Sequence, residues 1–240
     1  MTYCVAMRLA SGLVFASDSR TNAGVDHIAT FRKLTVFSEP GERLLVLQSA
    51  GNLATTQSVL SLLKQRCQEE GPNLMTVTNL YEAATLIGNT VREVIQRDGG
   101  QQQSGINFGC NLLLGGEIRG CAPRLFHIYP EGNFIEATED TPYFQIGESK
   151  YGKPIIDRVL TYQTTLEQAM QCALISLDST LRSNLSVGLP LDVMLYPQGS
   201  FSADQQFRID EQHPHFLALR RAWSEGLVNL FQQLPPLRLK

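Results

Sequence analysis

The first seventeen residues contain two apolar stretches joined by one short turn. The apolar positions before the turn recur at every second residue: Tyr3, Val5, Met7 and Leu9. A period of two is typical of a half-buried strand, and Ser11-Gly12 then turns the chain back into the apolar run from Leu13 to Ser17. The sequence therefore predicts a β-hairpin over residues 2–17.

Thr2 stands at the start of this hairpin and is the candidate nucleophile. A threonine hydroxyl is inert near neutral pH unless a base takes its proton, and a free α-amine, with a pKa of about 7.7 to 8.0, can do so on the same residue. We therefore expect Thr2 to become the mature N-terminus. This requires the removal of Met1, which is the usual expectation before a small residue, because an acylated nitrogen is an amide and no base.

Asp18 and Lys33 are candidates for the charged residues around Thr2. A lysine ammonium near Thr2 disfavours the protonated amine and favours the developing alkoxide, since two charges about 4 Å apart near a protein surface interact by roughly 4 kcal/mol. Asp18 would pair with Lys33 and hold it in place. Taken alone, Asp18 is more simply a turn residue and Lys33 a solvated charge at the start of a strand.

Arg32 competes with Lys33 for the cationic role. Lys33 is preferred because a compact ammonium can approach a buried hydroxyl, whereas a guanidinium never changes its protonation state. Further along, Gly51-Asn52 ends a strand, and Asn52 is a suitable N-cap for the helix that follows. Backbone N–H groups at such a strand-to-helix turn suit a tetrahedral oxyanion, although the plain alternative is an ordinary turn.

These residues together carry a resemblance. Thr2 before a hairpin, Asp18-Ser19-Arg20 at its end, Lys33, and Ser49-Ala50-Gly51 before a helix resemble a proteasome-type β-subunit. The run continuing through residues 21–28 is similar to the bacterial branch called Anbu, the ancestral β-subunit. The resemblance implies the four-layer αββα fold of N-terminal nucleophile hydrolases, of class α+β. It also implies an oxyanion donor at the Gly51 N–H and assembly of like subunits into a ring or spiral.

The later part of the chain departs from the family pattern at two places. Glu148, with Ser149 beside it, stands where the family has a serine that tunes the nucleophile. Ser186 matches a serine that bonds the terminal amine, but Ser183 stands where the family has an aspartate. A hydroxyl gives the amine a hydrogen bond without a counter-charge, which disfavours the ammonium form. Arg20 is predicted to be a structural ion-pair partner rather than a catalyst.

The rest of the chain predicts alternating strands and amphipathic helices in one domain, residues 1–240. Asn79 with Glu82, and Thr165 with Gln168, resemble capping boxes at helix starts. Gly99 to Gly105 is predicted to be a mobile loop. The expected strands cover residues 34–37, 44–48, 107–114, 124–129, 133–137 and 191–196. A final helix is predicted from His215, and its apolar stripe is expected to be either part of the core or a subunit contact.

Composition and missing motifs exclude several classes of protein. The 43% hydrophobic and 18% charged content is typical of a folded chain, and a net charge of -3 gives no sign of a nucleic-acid partner. The five cysteines form no CxxC pair, which favours a reducing cytoplasm. No signal peptide or membrane-spanning run is recognised. We expect no metal and no cofactor, because His213 and His215 lack a third ligand and no nucleotide-hydrolase or zinc-peptidase motif occurs.

The sequence thus predicts an N-terminal-threonine amide hydrolase that cleaves peptides within a homo-oligomer. Two alternatives stay open. One is an amidase of the same fold that acts on small or γ-linked amides, and the other is a non-catalytic subunit that only builds an assembly, which the departures at Glu148 and Ser183 favour. The sequence assigns no natural substrate, no number of subunits and no ATPase partner.

Overall fold

The computed structural model of the protein describes residues 2–22, 28–99 and 107–237. The helices in these ranges are α1 (Leu53–Arg66), α2 (Leu80–Gly99), α3 (Lys153–Val159), α4 (Leu166–Ser183) and α5 (Pro214–Gln232). The first six strands are β1 (Tyr3–Leu9), β2 (Gly12–Asp18), β3 (Arg20–Asn22), β4 (Ile28–Thr30), β5 (Leu34–Glu39) and β6 (Arg43–Gly51). The others are β7 (Cys110–Ile118), β8 (Arg124–Ile128), β9 (Phe134–Glu136), β10 (Tyr143–Gly147), β11 (Leu191–Pro197) and β12 (Gln206–Ile209).

Two five-stranded antiparallel sheets form the middle of the molecule. The first has the strand order β10-β1-β2-β11-β12, and the second has the order β5-β6-β7-β8-β9. The predicted N-terminal hairpin is present, with Cys4 opposite Ser17 and Leu9 opposite Gly12. The hairpin is central in its sheet because β10 and β11 flank it. The start of the chain is therefore held on both sides by backbone pairing.

The two sheets stack face to face, and helices cover their outer faces. Strand alternation sends Phe15 and Met194 of one sheet, and Val46 and Leu113 of the other, into the layer between the sheets. Helices α1 and α2 pack on the outer face of the second sheet, and α4 with the start of α5 packs on the first. This arrangement confirms the predicted α+β, four-layer αββα fold.

Two of the three predicted helix caps are present as expected, and the third differs in one bond. The Asn52 side chain accepts from the Thr55 amide, and Thr165 and Gln168 form a reciprocal capping box. At the start of α2, Asn79 Oδ1 accepts from the Glu82 amide at 3.0 Å, but the Glu82 carboxylate accepts from the Thr78 amide at 2.9 Å. The capping box predicted there is therefore shifted by one residue.

Several elements differ from the predicted bounds. Strand β7 covers Cys110–Ile118 instead of 107–114. Helix α3 and the strands β3, β4, β10 and β12 had no predicted counterpart. Gly99, where the predicted loop begins, still belongs to α2. The remainder of that loop, from residue 100 on, lies outside the described residues.

The final helix α5 is divided along its length. Phe216 is buried in the first core layer, and Leu219 packs against that layer. From Leu227 on, the apolar side chains are exposed, including Phe231 at 75%. The predicted stripe is therefore core only at its N-terminal end. No helix in the described ranges has both the length and the apolarity that crossing a bilayer requires.

Candidate functional site

Thr2, Lys33 and Gly51 line one small cavity at an end of the stacked sheets. The cavity has a volume of about 30 Å³, which is the space of roughly one water molecule. The topology explains the convergence, because Thr2 immediately precedes β1 in one sheet, whereas Lys33 precedes β5 and Gly51 ends β6 in the other. The other lining residues are Thr21, Phe31, Ser49, Ala50, Leu53 and Thr56.

Lys33 is buried and paired with Asp18. Its Nζ lies 2.5 Å from Asp18 Oδ1 and donates to the Arg20 carbonyl at 2.7 Å. The Lys33 side chain is 3% exposed and the Asp18 side chain 0%. Arg32 is exposed and lines a different groove, so the structure brings Lys33, and not Arg32, to Thr2.

Asp18 also holds the backbone of two other segments. Its Oδ1 accepts from the Tyr3 amide at 3.0 Å, and its Oδ2 accepts from the Gly188 amide at 3.2 Å. These bonds fix the residue that follows Thr2, and they fix the loop after α4. Asp18 therefore positions the start of the chain, the lysine and the Gly188 loop together.

Burial is the main influence on the pKa values of Asp18 and Cys4. It raises the pKa of the Asp18 carboxyl, and the Lys33 ammonium and the two backbone N–H donors lower it only in part. Burial also raises the pKa of the Cys4 thiol well above its usual range, and Cys4 Sγ donates to the Ser49 carbonyl at 3.6 Å. Cys4 is therefore a neutral filler beside the ion pair.

Two glycines allow the backbone to approach closely at the site. Gly51 has φ +119°, and a Cβ on it would lie 2.6 Å from the Gly109 carbonyl oxygen. Gly147 has φ +83°, and a Cβ there would lie 1.9 Å from the Thr2 carbonyl oxygen. Both positions combine a left-handed backbone with backbone atoms in the way, so each requires glycine.

Glu148 and Ser186 belong to a chain of hydrogen bonds that reaches Thr2. The Glu148 amide donates to the Thr2 carbonyl at 2.7 Å, and the buried Glu148 carboxylate accepts from Asn184 Nδ2 at 3.0 Å. Asn184 Oδ1 in turn accepts from the Ser186 amide at 2.9 Å. The carboxylate at position 148 thus connects β10 to the loop after α4.

The remaining candidates are held less closely. Ser149 is half-buried, and its carbonyl accepts from the Lys153 amide at 3.0 Å, which places it at the start of α3. Ser183 is exposed at the end of α4. The Arg20 guanidinium donates to the Leu185 carbonyl at 2.8 Å and has no carboxylate partner among the described residues, so the ion pair stays a prediction.

Sequence reasoning missed several residues that the structure brings to the site. Asn184 and Gly188 connect to Glu148 and Asp18, but their contacts span 36 and 170 positions and left no local signal. Thr56 lines the cavity from the first turn of α1. The predicted cap at Asn52 could have identified Thr56 as a site residue, because residues four positions apart lie on the same face of a helix. Among the described residues, no group of His, Cys, Asp or Glu side chains is arranged to hold a metal.

Comparisons with known proteins agree with the fold and the site. Residues 2–193 match the family model described as proteasome subunit, so the layers and this match define a proteasome-type subunit. No curated protein matches the chain. Among solved structures, the chain is similar to Anbu, the ancestral β-subunit, from Yersinia bercovieri, with 72% identity over 100% of both chains and a TM-score of 0.95.

Two further solved structures extend this likeness. One is a helical assembly of the Anbu complex from Pseudomonas aeruginosa, with 56% identity over 99% of this chain and 98% of that one and a TM-score of 0.96. The other is Anbu from Hyphomicrobium sp. strain MC1, with 49% identity over 99% and 100% of the chains and a TM-score of 0.92. The chain therefore belongs to the Anbu branch of the proteasome subunit family.

Proposed function

We propose that the protein is a threonine-type amide hydrolase that uses Thr2 after removal of Met1. The observation that carries the proposal is the shared cavity of Thr2, Lys33 and Gly51, with Lys33 held by Asp18 at 2.5 Å. A buried ammonium beside a terminal threonine keeps the amine neutral and stabilises a developing alkoxide.

The proposed reaction uses one residue as nucleophile and base. Thr2 Oγ attacks the amide carbon while the Thr2 amine takes the hydroxyl proton, and the oxyanion accepts from the Gly51 N–H. The ammonium then gives its proton to the leaving nitrogen, the C–N bond breaks, and an ester remains on Thr2. Water hydrolyses the ester with the amine again as base.

The proposal assigns supporting roles to the hydrogen-bond chain behind Thr2. Ser186 is proposed to hold the amine, and the Glu148 carboxylate replaces the missing aspartate at Ser183 as the nearby negative charge. Support comes from the bond between the Glu148 amide and the Thr2 carbonyl and from the path through Asn184. Ser149 is proposed to support the site through its backbone carbonyl at the start of α3.

Labelling with a peptide epoxyketone tests the proposal most directly, because closing the adduct requires a hydroxyl and a free amine on the same residue. Intact mass should show the loss of Met1 and one adduct per chain, mapped to Thr2. Thr2→Ala should take no adduct. A processed protein that takes no adduct, or an adduct that persists in Thr2→Ala, would overturn the proposal and favour the purely structural subunit.

We also propose that the protein acts as a homo-oligomer in the cytoplasm. The relative that forms a helical assembly and the exposed apolar part of α5 support a ring or spiral of like chains. The five cysteines, all free thiols, support a reducing compartment. Turnover of small or γ-linked amides but not of peptides would assign the same site to an amidase.

A further inference from the structure

We propose that a groove beside the Thr2 cavity binds a carboxylate of the substrate, with Arg32 and Lys64 as its cationic partners. This inference rests on the proposed hydrolase function, because it names the class of substrate that the Thr2 site takes.

The groove is next to the cavity and separate from it. Phe31 lines both, and the groove has a volume of about 500 Å³, which accommodates several side chains. Helix α1 forms one wall of both, since Leu53 and Thr56 line the cavity and Gln57 and Lys64 line the groove. At 1.5 Å per residue, Lys64 lies about 12 Å along the helix from Thr56, so the groove spans roughly three extended peptide residues.

The groove is positively charged in an acidic protein. Its lining contains Arg32 and Lys64 and no Asp or Glu, although the whole chain has a net charge of -3. Both cations are exposed, and neither has an ion pair or hydrogen bond within the described part of the chain. By contrast, Arg66, two residues beyond Lys64 in α1, is paired with Glu93 at 2.6 Å. The two groove cations are therefore available to a ligand.

The other lining residues suit an acidic side chain in particular. Leu34 and Leu60 form an apolar floor and are 4% and 8% exposed, which suits the methylene groups of Asp or Glu. Gln57 and Ser61 supply uncharged hydrogen-bond donors along α1. A guanidinium presents paired N–H donors that match the two oxygens of a carboxylate.

The test uses pairs of peptide epoxyketones that differ only in Glu against Gln at successive positions. Labelling of Thr2 should be about fivefold faster for Glu at one position, which corresponds to the upper end for exposed ion pairs, and the ratio should fall with added NaCl. Arg32→Gln and Lys64→Gln should each bring the ratio toward one. Arg221→Gln, which removes an exposed cation on α5, is the matched control and should keep the wild-type ratio.

A carboxylate can also come from the end of a peptide. Competition by a peptide with a free C-terminus, compared with its C-terminal amide, separates that source from a side chain. Equal labelling of the Glu and Gln probes, together with equal competition by acid and amide, would overturn the inference while the proposed function stands. Loss of assembly in Arg32→Gln with an unchanged ratio would also overturn it.

If no probe labels the protein, the proposed function is contradicted. A direct binding measurement then tests whether the groove binds a carboxylate. Fluorescence anisotropy of dye-labelled Glu and Gln peptides with the full-length protein should still show tighter binding of the Glu peptide, and Arg32→Gln should abolish the difference. Equal binding of both peptides would overturn the inference.

Discussion

Lys33 offsets the free-energy cost of burying the Asp18 carboxylate. Replacing Lys33 should therefore lower the free energy of unfolding. Lys33→Met leaves Asp18 among apolar groups with only backbone donors, and breaking a buried pair in this way costs roughly 3–5 kcal/mol of unfolding free energy. The measurement is urea unfolding near neutral pH.

The double variant Asp18→Asn with Lys33→Met provides the control for this prediction. It should recover part of the loss, because a neutral amide can still accept from the Tyr3 amide. A double variant that loses the sum of the two single losses would contradict a coupled pair.

The deficit of Lys33→Met should also depend on pH. Burial raises the pKa of Asp18, so its protonated form is favoured by folding; that stabilisation is complete below the unfolded pKa of about 3.9 and is lost as pH rises through the folded pKa. Without Lys33 the folded pKa rises further. The variant should therefore be closer to wild type at about pH 5 than at about pH 8, in urea unfolding at both values. A deficit that grows on acidification would disprove the assigned direction.

The cysteines should divide into reactive and protected thiols. Cys4, Cys110 and Cys172 are buried, and burial raises the pKa of Cys110 and of Cys172 to about 11, which leaves little thiolate near pH 8. Cys67 and Cys121 are half-buried. Iodoacetamide should modify Cys67 and Cys121 in the native protein and all five only after denaturation, as read by peptide mass spectrometry. Rapid native modification of Cys4 would contradict its buried position.

At the scale of elements, the contact between β10 and the start of β1 depends on Gly147. Gly147→Ala should lose more than about 3 kcal/mol of unfolding free energy and slow Thr2 labelling, because it adds a collision with the Thr2 carbonyl to left-handed strain of about 1–2 kcal/mol.

Gly120→Ala is the matched control for that variant. Its φ is +84° and its added Cβ meets nothing within 4 Å, so it should show the backbone strain alone and label Thr2 at the wild-type rate. Equal unfolding free energies for the two variants would show that the close approach at Gly147 does not matter.

The sequence predicted those elements whose signals are local. The N-terminal hairpin, the Asn52 cap and the Thr165 capping box follow from side chains within a few positions of one another. Helix α3 was missed because it has only seven residues and its N-cap, Gly152, has no side chain to signal a start. Strand β12 was missed because it is short and pairs on one side only.

Strand β7 shows how tertiary packing overrides a local turn signal. The predicted strand ends at residue 114, just before the two glycines Gly115 and Gly116, yet β7 continues to Ile118. A Cβ at 115 would meet the Phe15 ring at 2.6 Å, and one at 116 would meet the Leu44 carbonyl oxygen at 2.2 Å. The pair is therefore required by close packing between and within the sheets. The meeting of Asn184 with Glu148 is likewise fixed by the fold and not by any local pattern.

At the scale of the whole molecule, the C-terminal half of α5 presents apolar surface without a partner in the described chain. The exposed side chains on the helix are Leu227, Val228, Leu230 and Phe231, and Leu234 and Leu237 are exposed in the segment that follows it. Contiguous apolar surface of this kind marks protein–protein contacts. Phe231→Lys combined with Leu227→Lys should therefore reduce the assembly to smaller species, because each buried side chain contributes roughly 1.5–3 kcal/mol. Analytical ultracentrifugation measures the species formed.

The matched control is Val159→Lys at the end of α3, which is 50% exposed and outside this face. It should leave the assembly intact. Circular dichroism should be the same for all three proteins, and unchanged sedimentation of the α5 variant would show that another surface joins the subunits.

The anchoring of Asp18 by the Tyr3 amide has a consequence for maturation. Because that bond does not involve the nitrogen of Thr2, the pair of Lys33 and Asp18 can form whether or not Met1 is removed, the step on which the proposed function depends. A subunit that keeps its methionine would then have the same fold as the processed subunit and could join the same assembly, but it would be inactive. The share of trimmed chains, rather than the number of particles, would set how many of them can react.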